Sequence, residues 1–302
     1  MPDVETPFRG IYPMLYAFFG PDGGLDRAAL RAQVAHCVAA GVQGLAVLGL
    51  ATEVDKLSLD ERLRLLHWTA EDLDGRLPLA VTVFGDSVEV QAEFLRAAQA
   101  AGADWAILQP PRRAALSEAD CLEFFSAVMA TSALPLAIQN APEYLGIGLG
   151  VAAIETLRRR HGNFVLLKGE GPALTIREVI EASDGRLAVF NGRNGLELPD
   201  NLRAGCAGVI PGPEACAVQA RIFELMAEGD PGGEAEAERL YRDILPLLTF
   251  VMQSLEILHC YGKRILAWHL ELGEVHDREP ALAPTAFGLA CARRHAEALT
   301  RL

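Results

Sequence analysis

The sequence predicts an α/β protein: eight parallel strands, each followed by a helix, closed into a (β/α)8 TIM barrel with a C-terminal three-helix extension. Three observations predict it. Short apolar runs alternate with longer amphipathic ones eight times over residues 1–228. Those runs are almost continuously hydrophobic, as strands are when helices cover both faces of their sheet. No Gly-x-Gly-x-x-Gly follows the first run, which argues against the doubly wound open sheet, the competing arrangement of such units.

Taken in order, the strand-like runs are GIYPMLYAFF (10–19), GLAVLG (44–49), PLAVTVF (78–84), WAILQ (105–109), PLAIQN (135–140), FVLLK (164–168), LAVFN (187–191) and GVIPG (208–212). Each is bounded by Gly, Pro, Asn or Asp, the residues that punctuate strands. Between them lie helical patterns with legible ends. Ser58 stands three residues before Glu61, the spacing of a capping box. Ser117 and Asp120 repeat that offset, and Gly41, Gly102 and Gly205 follow periodic stretches as C-terminal caps do. From about 232 onward strand signals stop, and helical patterns run near 232–256, 259–272 and 284–301. The expected organisation is a barrel over 1–228 and a helical extension of the same domain over 229–302.

Composition narrows the class of function. The 302 residues are 51% hydrophobic and 22% charged, with a formal net charge of −13 and no basic block, so nucleic acid is a poor partner. No apolar run reaches the roughly 18 residues of a membrane span, and the N-terminus lacks the pattern of a signal peptide. Cysteines 37, 121, 206, 216, 260 and 291 are scattered without a CxxC pair, which reads as buried thiols in a reducing compartment. A cytoplasmic protein without membrane contact is expected. No His, Asp or Glu spacing suggests a metal.

In a (β/α)8 barrel the active site lies at the C-terminal ends of the strands. That rule selects GLATEVDK (49–56), QPPRR (109–113), QNAPEY (139–144), Lys168, NGRNG (191–195) and IPGP (210–213). Lys168 is the obvious nucleophile among them. The chain has 24 arginines and only three lysines, Lys56, Lys168 and Lys263. A lysine at a strand mouth therefore suggests an amine that must lose its proton, which guanidinium does not do. Apolar walls, with Arg193 nearby, would favour the neutral amine, which condenses with a ketone to an imine. The bland alternative is an ion pair between Lys168 and Glu170. Arg112 and Arg113 could hold an anionic substrate or be solvated rim charges. Gln139 and Asn140 offer amide hydrogen bonds or brace their loop. Glu53 could act as a base or cap a helix, and Lys263 in the helical extension reads as structural or at a rim.

These residues, with GLATEVDKLSLDER and GCAGVIPG in the same order, resemble the dihydrodipicolinate synthase/N-acetylneuraminate lyase family over nearly the whole chain. The resemblance implies a (β/α)8 barrel whose strand 6 lysine, matched by Lys168, forms a Schiff base with pyruvate or another 2-oxo acid, without metal or organic cofactor. The stretch GLATEVDKLSLDER matches the family's Gly-Thr-Thr-Gly-Glu loop at Gly49, Glu53, Leu57 and Glu61. The family's paired threonines fall on Leu50 and Ala51, so loop amides around Leu50, Ala51 and Thr52 would receive the substrate carboxylate. Its strand 5 tyrosine falls on Gln139, its second relay tyrosine on Arg112, its aldehyde-binding arginine on Tyr144, and its first-strand Thr-Pro on Tyr16-Ala17. A divergent member is implied, one lacking the tyrosine and threonine pair, for which true dihydrodipicolinate synthase activity is not expected.

The Gln-Asx-Ala-Pro segment at the strand 5 exit is similar to members acting on 2-keto-3-deoxy sugar acids. The expected activity is an aldolase or dehydratase for pyruvate or such an acid. Lys168 is the nucleophile, and Gln139, Asn191, Ile210 and Arg112 are substrate-binding. Tyr16 is the candidate replacement phenol for proton donation, and Glu53 is structural. A homo-oligomer, dimer or tetramer, follows from the resemblance. The competing expectations are a non-catalytic 2-oxo acid binder of the same fold and a barrel enzyme using Glu53 as base.

Overall fold

The computed structural model describes residues 7–112 and 116–302. Eight parallel strands occupy the predicted runs: β1 (Gly10–Ile11), β2 (Leu45–Val47), β3 (Leu79–Val83), β4 (Trp105–Leu108), β5 (Leu136–Asn140), β6 (Leu166–Gly169), β7 (Ala188–Asn191) and β8 (Gly208–Val209). Hydrogen-bonded neighbours run β1-β8-β7-β6-β5-β4-β3-β2. A parallel bridge from Met14 to Ala46 joins β1 back to β2 and closes the barrel.

The first strand is the main departure from the sequence expectation of ten residues. Only Gly10 and Ile11 pair continuously, with Gly208 and Val209. Pro13 has no N–H to give a ladder, although its carbonyl accepts from Ala46 N at 2.9 Å. At Tyr16 a side chain takes over from the ladder: Gln33 bonds both Tyr16 N and Tyr16 O at 3.0 Å.

The helices between strands are α1 (Arg27–Ala39), α2 (Leu59–Leu73), α3 (Val88–Ala100), α4 (Glu118–Met129), a one-turn α5 (Pro142–Leu145), α6 (Val151–Arg160), α7 (Ala173–Ala182), α8 (Leu198–Ala204) and α9 (Cys216–Glu228). Their ends are where local chemistry puts them. Ser58 and Glu61 form the reciprocal capping box on α2, and Ser117 accepts from Asp120 N on α4. Gly205 ends α8 at φ +98, a left-handed conformation only glycine adopts without strain.

One end of the barrel interior is filled by aromatic rings. Tyr12, Trp105 and Phe190 stand 5.2 to 5.6 Å apart between centroids, with Phe8 stacked 5.9 Å from Trp105. Phe190 is also the register partner of Lys168 on β6. All six cysteines are buried free thiols.

Three helical stretches follow the barrel: α10 (Pro231–Val251), a second running from α11 (Leu255–Ile257) through a π-helical segment (Leu258–Gly262) into α12 (Lys263–His269), and α13 (Ala286–Leu299). No single helix among the described residues is long and apolar enough to cross a membrane.

Candidate active site

Adjacent strand ends build the site. Lys168 on β6 sits in register with Gln139 on β5, and alternation along the strand sends Lys168 and Glu170 to the same face. Lys168 is 4% exposed and Glu170 7%, with Nζ 3.1 Å from Glu170 Oε1. Gln139 Nε2 donates to that same oxygen at 2.6 Å. Gln109, just beyond β4, donates to Gln139 Oε1 at 2.8 Å, and its own carbonyl accepts from Gln91 Nε2 at 2.9 Å. A buried chain of polar groups thus leads from α3 to the amine. Gly192 makes room for it, since a Cβ there would stand 2.6 Å from Glu170 carbon atoms.

A cavity of about 980 Å3 opens at this end of the barrel, and Gln109, Tyr144, Arg112, Leu50, His259 and Asp277 are among its walls. Gln109 both lines the cavity and joins the buried chain, which connects open space to Lys168.

A second charged group closes the opposite wall. Glu53, 1% exposed, accepts from both Lys56 and Lys263. Burial pushes its carboxyl up, but Lys263, His259 and Lys56 outweigh that and hold it below the usual carboxylate range. Lys263 is fully buried, reaching across from α12 with its ammonium 5.3 Å from the Phe19 ring centroid. The π-helical segment contributes His259, whose Nε2 bonds Leu50 O at 2.9 Å. Burial lowers the His259 pKa despite Glu53 nearby, so the ring is neutral at pH 7 and donates to that carbonyl. The loop itself carries two non-glycine residues in the left-handed region, Leu48 (φ +67) and Glu53 (φ +57), conformations that persist only when surroundings enforce them.

The model of the dihydrodipicolinate synthetase family matches residues 7–278. The chain belongs to that family.

Two curated relatives give the scale of the likeness. An L-2-keto-3-deoxyarabonate dehydratase of Azospirillum brasilense is 31% identical over 256 residues, 82% of each chain. A putative 2-dehydro-3-deoxy-D-gluconate aldolase, YagE, of Escherichia coli K12 is 28% identical over 243 residues, 80% of each. Among solved structures, a putative dihydrodipicolinate synthetase from Pseudomonas aeruginosa superposes with a TM-score of 0.87 at 25% identity, covering 97% of this chain and 99% of that one. The relatives are named as aldolases, dehydratases and synthases, so the chain stands among lyase-type enzymes.

Within the dihydrodipicolinate synthetase frame, several nominated residues change role. Asn191 does not face the cavity: its Nδ2 donates to Gly171 O (2.9 Å) and Asn201 Oδ1 (2.7 Å), the latter on α8. Strand parity explains it, because Phe190 shares the inward register of Lys168 while Asn191 pairs with outward Gly169. Thr52 is fully buried; its hydroxyl donates to Leu15 O (2.6 Å) and its amide to Gly49 O (3.1 Å), so of the nominated loop amides those of Leu50 and Ala51 remain. Tyr16 is also fully buried and donates its hydroxyl to Glu214 Oε2 at 2.8 Å. Its hydroxyl is thus committed to Glu214, away from the substrate, and burial, then the Glu214 charge, raises its pKa far above that of an ordinary phenol.

Ile210 is buried beyond β8, its amide bonded to Asn191 O at 2.8 Å. Arg112 does line the cavity, half-exposed, with its guanidinium 4.9 Å from the Phe84 ring and 3.7 Å from Asp55. Arg113 lies outside the described residues. Arg193 pairs with Glu197 at 2.9 Å, and the charge that Lys168 faces is the carboxylate of Glu170.

Glu170 was read only as an ion-pair partner of Lys168, which it is, Gln109 only as part of the strand 4 exit, and Lys263 only as structural or at a rim. Two signals could have found the first two: the Lys-Gly-Glu spacing of two on a strand, and a glutamine at the exit of both β4 and β5. Nothing local marks Lys263, whose partner lies 210 residues away.

Proposed function

We propose that this protein is a lysine-imine lyase that dehydrates a 2-keto-3-deoxy sugar acid, with Lys168 as nucleophile and Glu170 as its proton acceptor. The observation that carries the reading is the buried Lys168–Glu170 pair at 3.1 Å, held by Gln139 and joined through Gln109 to the cavity. The bare ion pair satisfies the bland reading too, but a purely structural pair would not need the amide chain leading to open space.

The steps follow from those positions. The ammonium gives a proton to Glu170, and the neutral amine attacks the C2 ketone. The oxygen departs as water with the two hydrogens the amine has lost, leaving a protonated imine. Glu170, again a carboxylate, takes a proton from C3, and the electron pair enters the imine as an enamine. The enamine expels the C4 hydroxyl, giving an unsaturated imine that water hydrolyses. The Leu50 and Ala51 amides receive the substrate carboxylate, and Arg112 meets the distal hydroxyls. The 31% likeness to a keto-deoxy-arabonate dehydratase supports this substrate class. Aldol cleavage would use the same imine but release pyruvate, so product analysis separates the two. Assembly as a homo-oligomer belongs to the proposal; Leu174 and Phe287, 82% and 79% exposed, are the surface residues that favour it.

Borohydride trapping tests the reading. The protein is mixed with pyruvate or 2-keto-3-deoxy-arabonate, reduced, and its intact mass and modified peptide are read. An adduct on Lys168, absent in Lys168→Ala, is the expected result. Measurable binding with no adduct would overturn it in favour of a non-catalytic 2-oxo acid binder.

A further inference from the structure

The dehydration proposed above leaves one requirement unmet. Hydroxide is a poor leaving group at neutral pH, so an acid must protonate the C4 hydroxyl as it departs. Glu170 has by then taken the C3 proton. Of the other donors lining the cavity, Gln109 and Arg112 do not give up protons at neutral pH, and Cys260 has its Sγ turned to Arg264 Nη1 at 3.7 Å. The His259 N–H is held by Leu50 O, and Lys56 is bound to Glu53 and Arg278 O.

Tyr144 answers the requirement. It lies on α5, half-buried, and lines the same cavity as Gln109. The Glu170 charge raises the pKa of its phenol and the Arg193 charge lowers it. The segment that carries it is pinned to the strand end: Tyr144 N donates to Ala141 O at 3.0 Å, and Asn140 clamps Leu149 by two hydrogen bonds of 2.9 and 2.7 Å. We infer that Tyr144 is the catalytic acid of this site, delivering its phenolic proton to the C4 hydroxyl, with Arg193 opposite the phenolate that forms. The assignment rests on the lysine-imine reading.

The proton count closes. The enamine pushes its electrons into a new C3–C4 double bond, the C4–O bond breaks, and the oxygen leaves as water carrying the Tyr144 proton. Glu170, holding the proton from C3, returns it to the phenolate. Both residues end as they began, and the substrate has lost one water. Burial and the Glu170 charge keep the free phenol above its ordinary pKa, hence protonated at neutral pH, while Arg193 opposes that shift. The residue thus enters the reaction as an acid with a countercharge already beside it.

The base and acid halves can be read separately. Exchange of pyruvate methyl hydrogens in D2O requires only Lys168 and Glu170, whereas elimination also requires the acid. Tyr144→Phe is expected to keep pyruvate exchange within about twofold of wild type. Its dehydration of 2-keto-3-deoxy-arabonate should fall by about 100-fold or more. With 4-chloro-2-oxobutanoate, from which chloride departs without a proton, the same variant should eliminate at nearly the wild-type rate. Glu170→Gln should lose exchange and both eliminations. Dehydration by Tyr144→Phe close to wild type would overturn the assignment, as would a parallel fall in exchange or a failure of the chloro compound to restore elimination. Absence of pyruvate exchange in wild type would bring down the lysine-imine reading itself, and this assignment with it.

Discussion

Two lysine–carboxylate groups face one another across the barrel mouth, and their surroundings differ. On the β6 side, Lys168 and Glu170 lie two residues apart, and the carboxylate has one ammonium and one amide as partners. On the β2 side, Glu53 is gripped by two ammonium groups, from Lys56 three residues on and Lys263 in α12. The first group keeps a 1:1 balance of charge, so its proton can move without stranding a charge. The second has its carboxylate fully occupied and ties a loop to a distant helix. In the proposed function, identical side-chain types serve chemistry in one place and positioning in the other, and the number of partners is what separates them.

The largest expected effect comes from exchanging the amine for a guanidinium. Lys168→Arg keeps a cation against Glu170 but cannot form an imine, so turnover should vanish while the thermal midpoint moves little; retained turnover would remove the distinction. Next comes Lys263→Met, which leaves Glu53 buried with Lys56 alone. Breaking a buried pair on one side costs about 3–5 kcal/mol, and the remaining lysine puts the expected loss near the lower figure, read from urea unfolding. Because the loop amides at Leu50 and Ala51 lose their anchor, KM for the 2-oxo acid should rise more than kcat falls. Smallest is Ser58→Ala, expected to cost about 1 kcal/mol through loss of the α2 cap.

A pH measurement refines the β2 side further. The Glu61 carboxylate accepts two hydrogen bonds from Arg278 and one from Ser58 N. Arg278 above all, opposed by burial and helped by Ser58, brings its pKa down to about 2. A depressed carboxylate contributes stability that is present above its unfolded value of about 4.3 and is lost as pH falls toward the folded value. Wild-type stability should therefore fall between about pH 4.3 and about pH 2 more steeply than that of Arg278→Met, whose deficit at neutral pH should close as pH nears 2; identical acid profiles would show that the contact contributes nothing.

The fold was legible because it is written locally: apolar runs, caps and glycines each follow from a few neighbouring residues. The position of Lys168 was legible too, since a rare residue type ended an apolar strand, and the structure places it buried on β6. What escaped depends on registers and long-range pairing. Asn191 looked like a site residue because it ends β7, but only the pairing of Phe190 with Lys168 fixes which of the two faces inward. Tyr16 was plausible at the first strand's end until Glu214, 198 residues away, claimed its hydroxyl. Tyr144 was read for the charge it lacks; its place in the wall of the cavity emerged only with the fold.

The economy of lysine has a practical consequence. Lys56, Lys168 and Lys263 are the only ε-amino groups in 302 residues, and their side chains are 11%, 5% and 1% exposed. An amine-selective acylating reagent therefore finds few targets besides the α-amino group until the barrel mouth loosens. Counting acyl groups by mass would then report opening of that one region, with no probe attached and the native sequence unaltered.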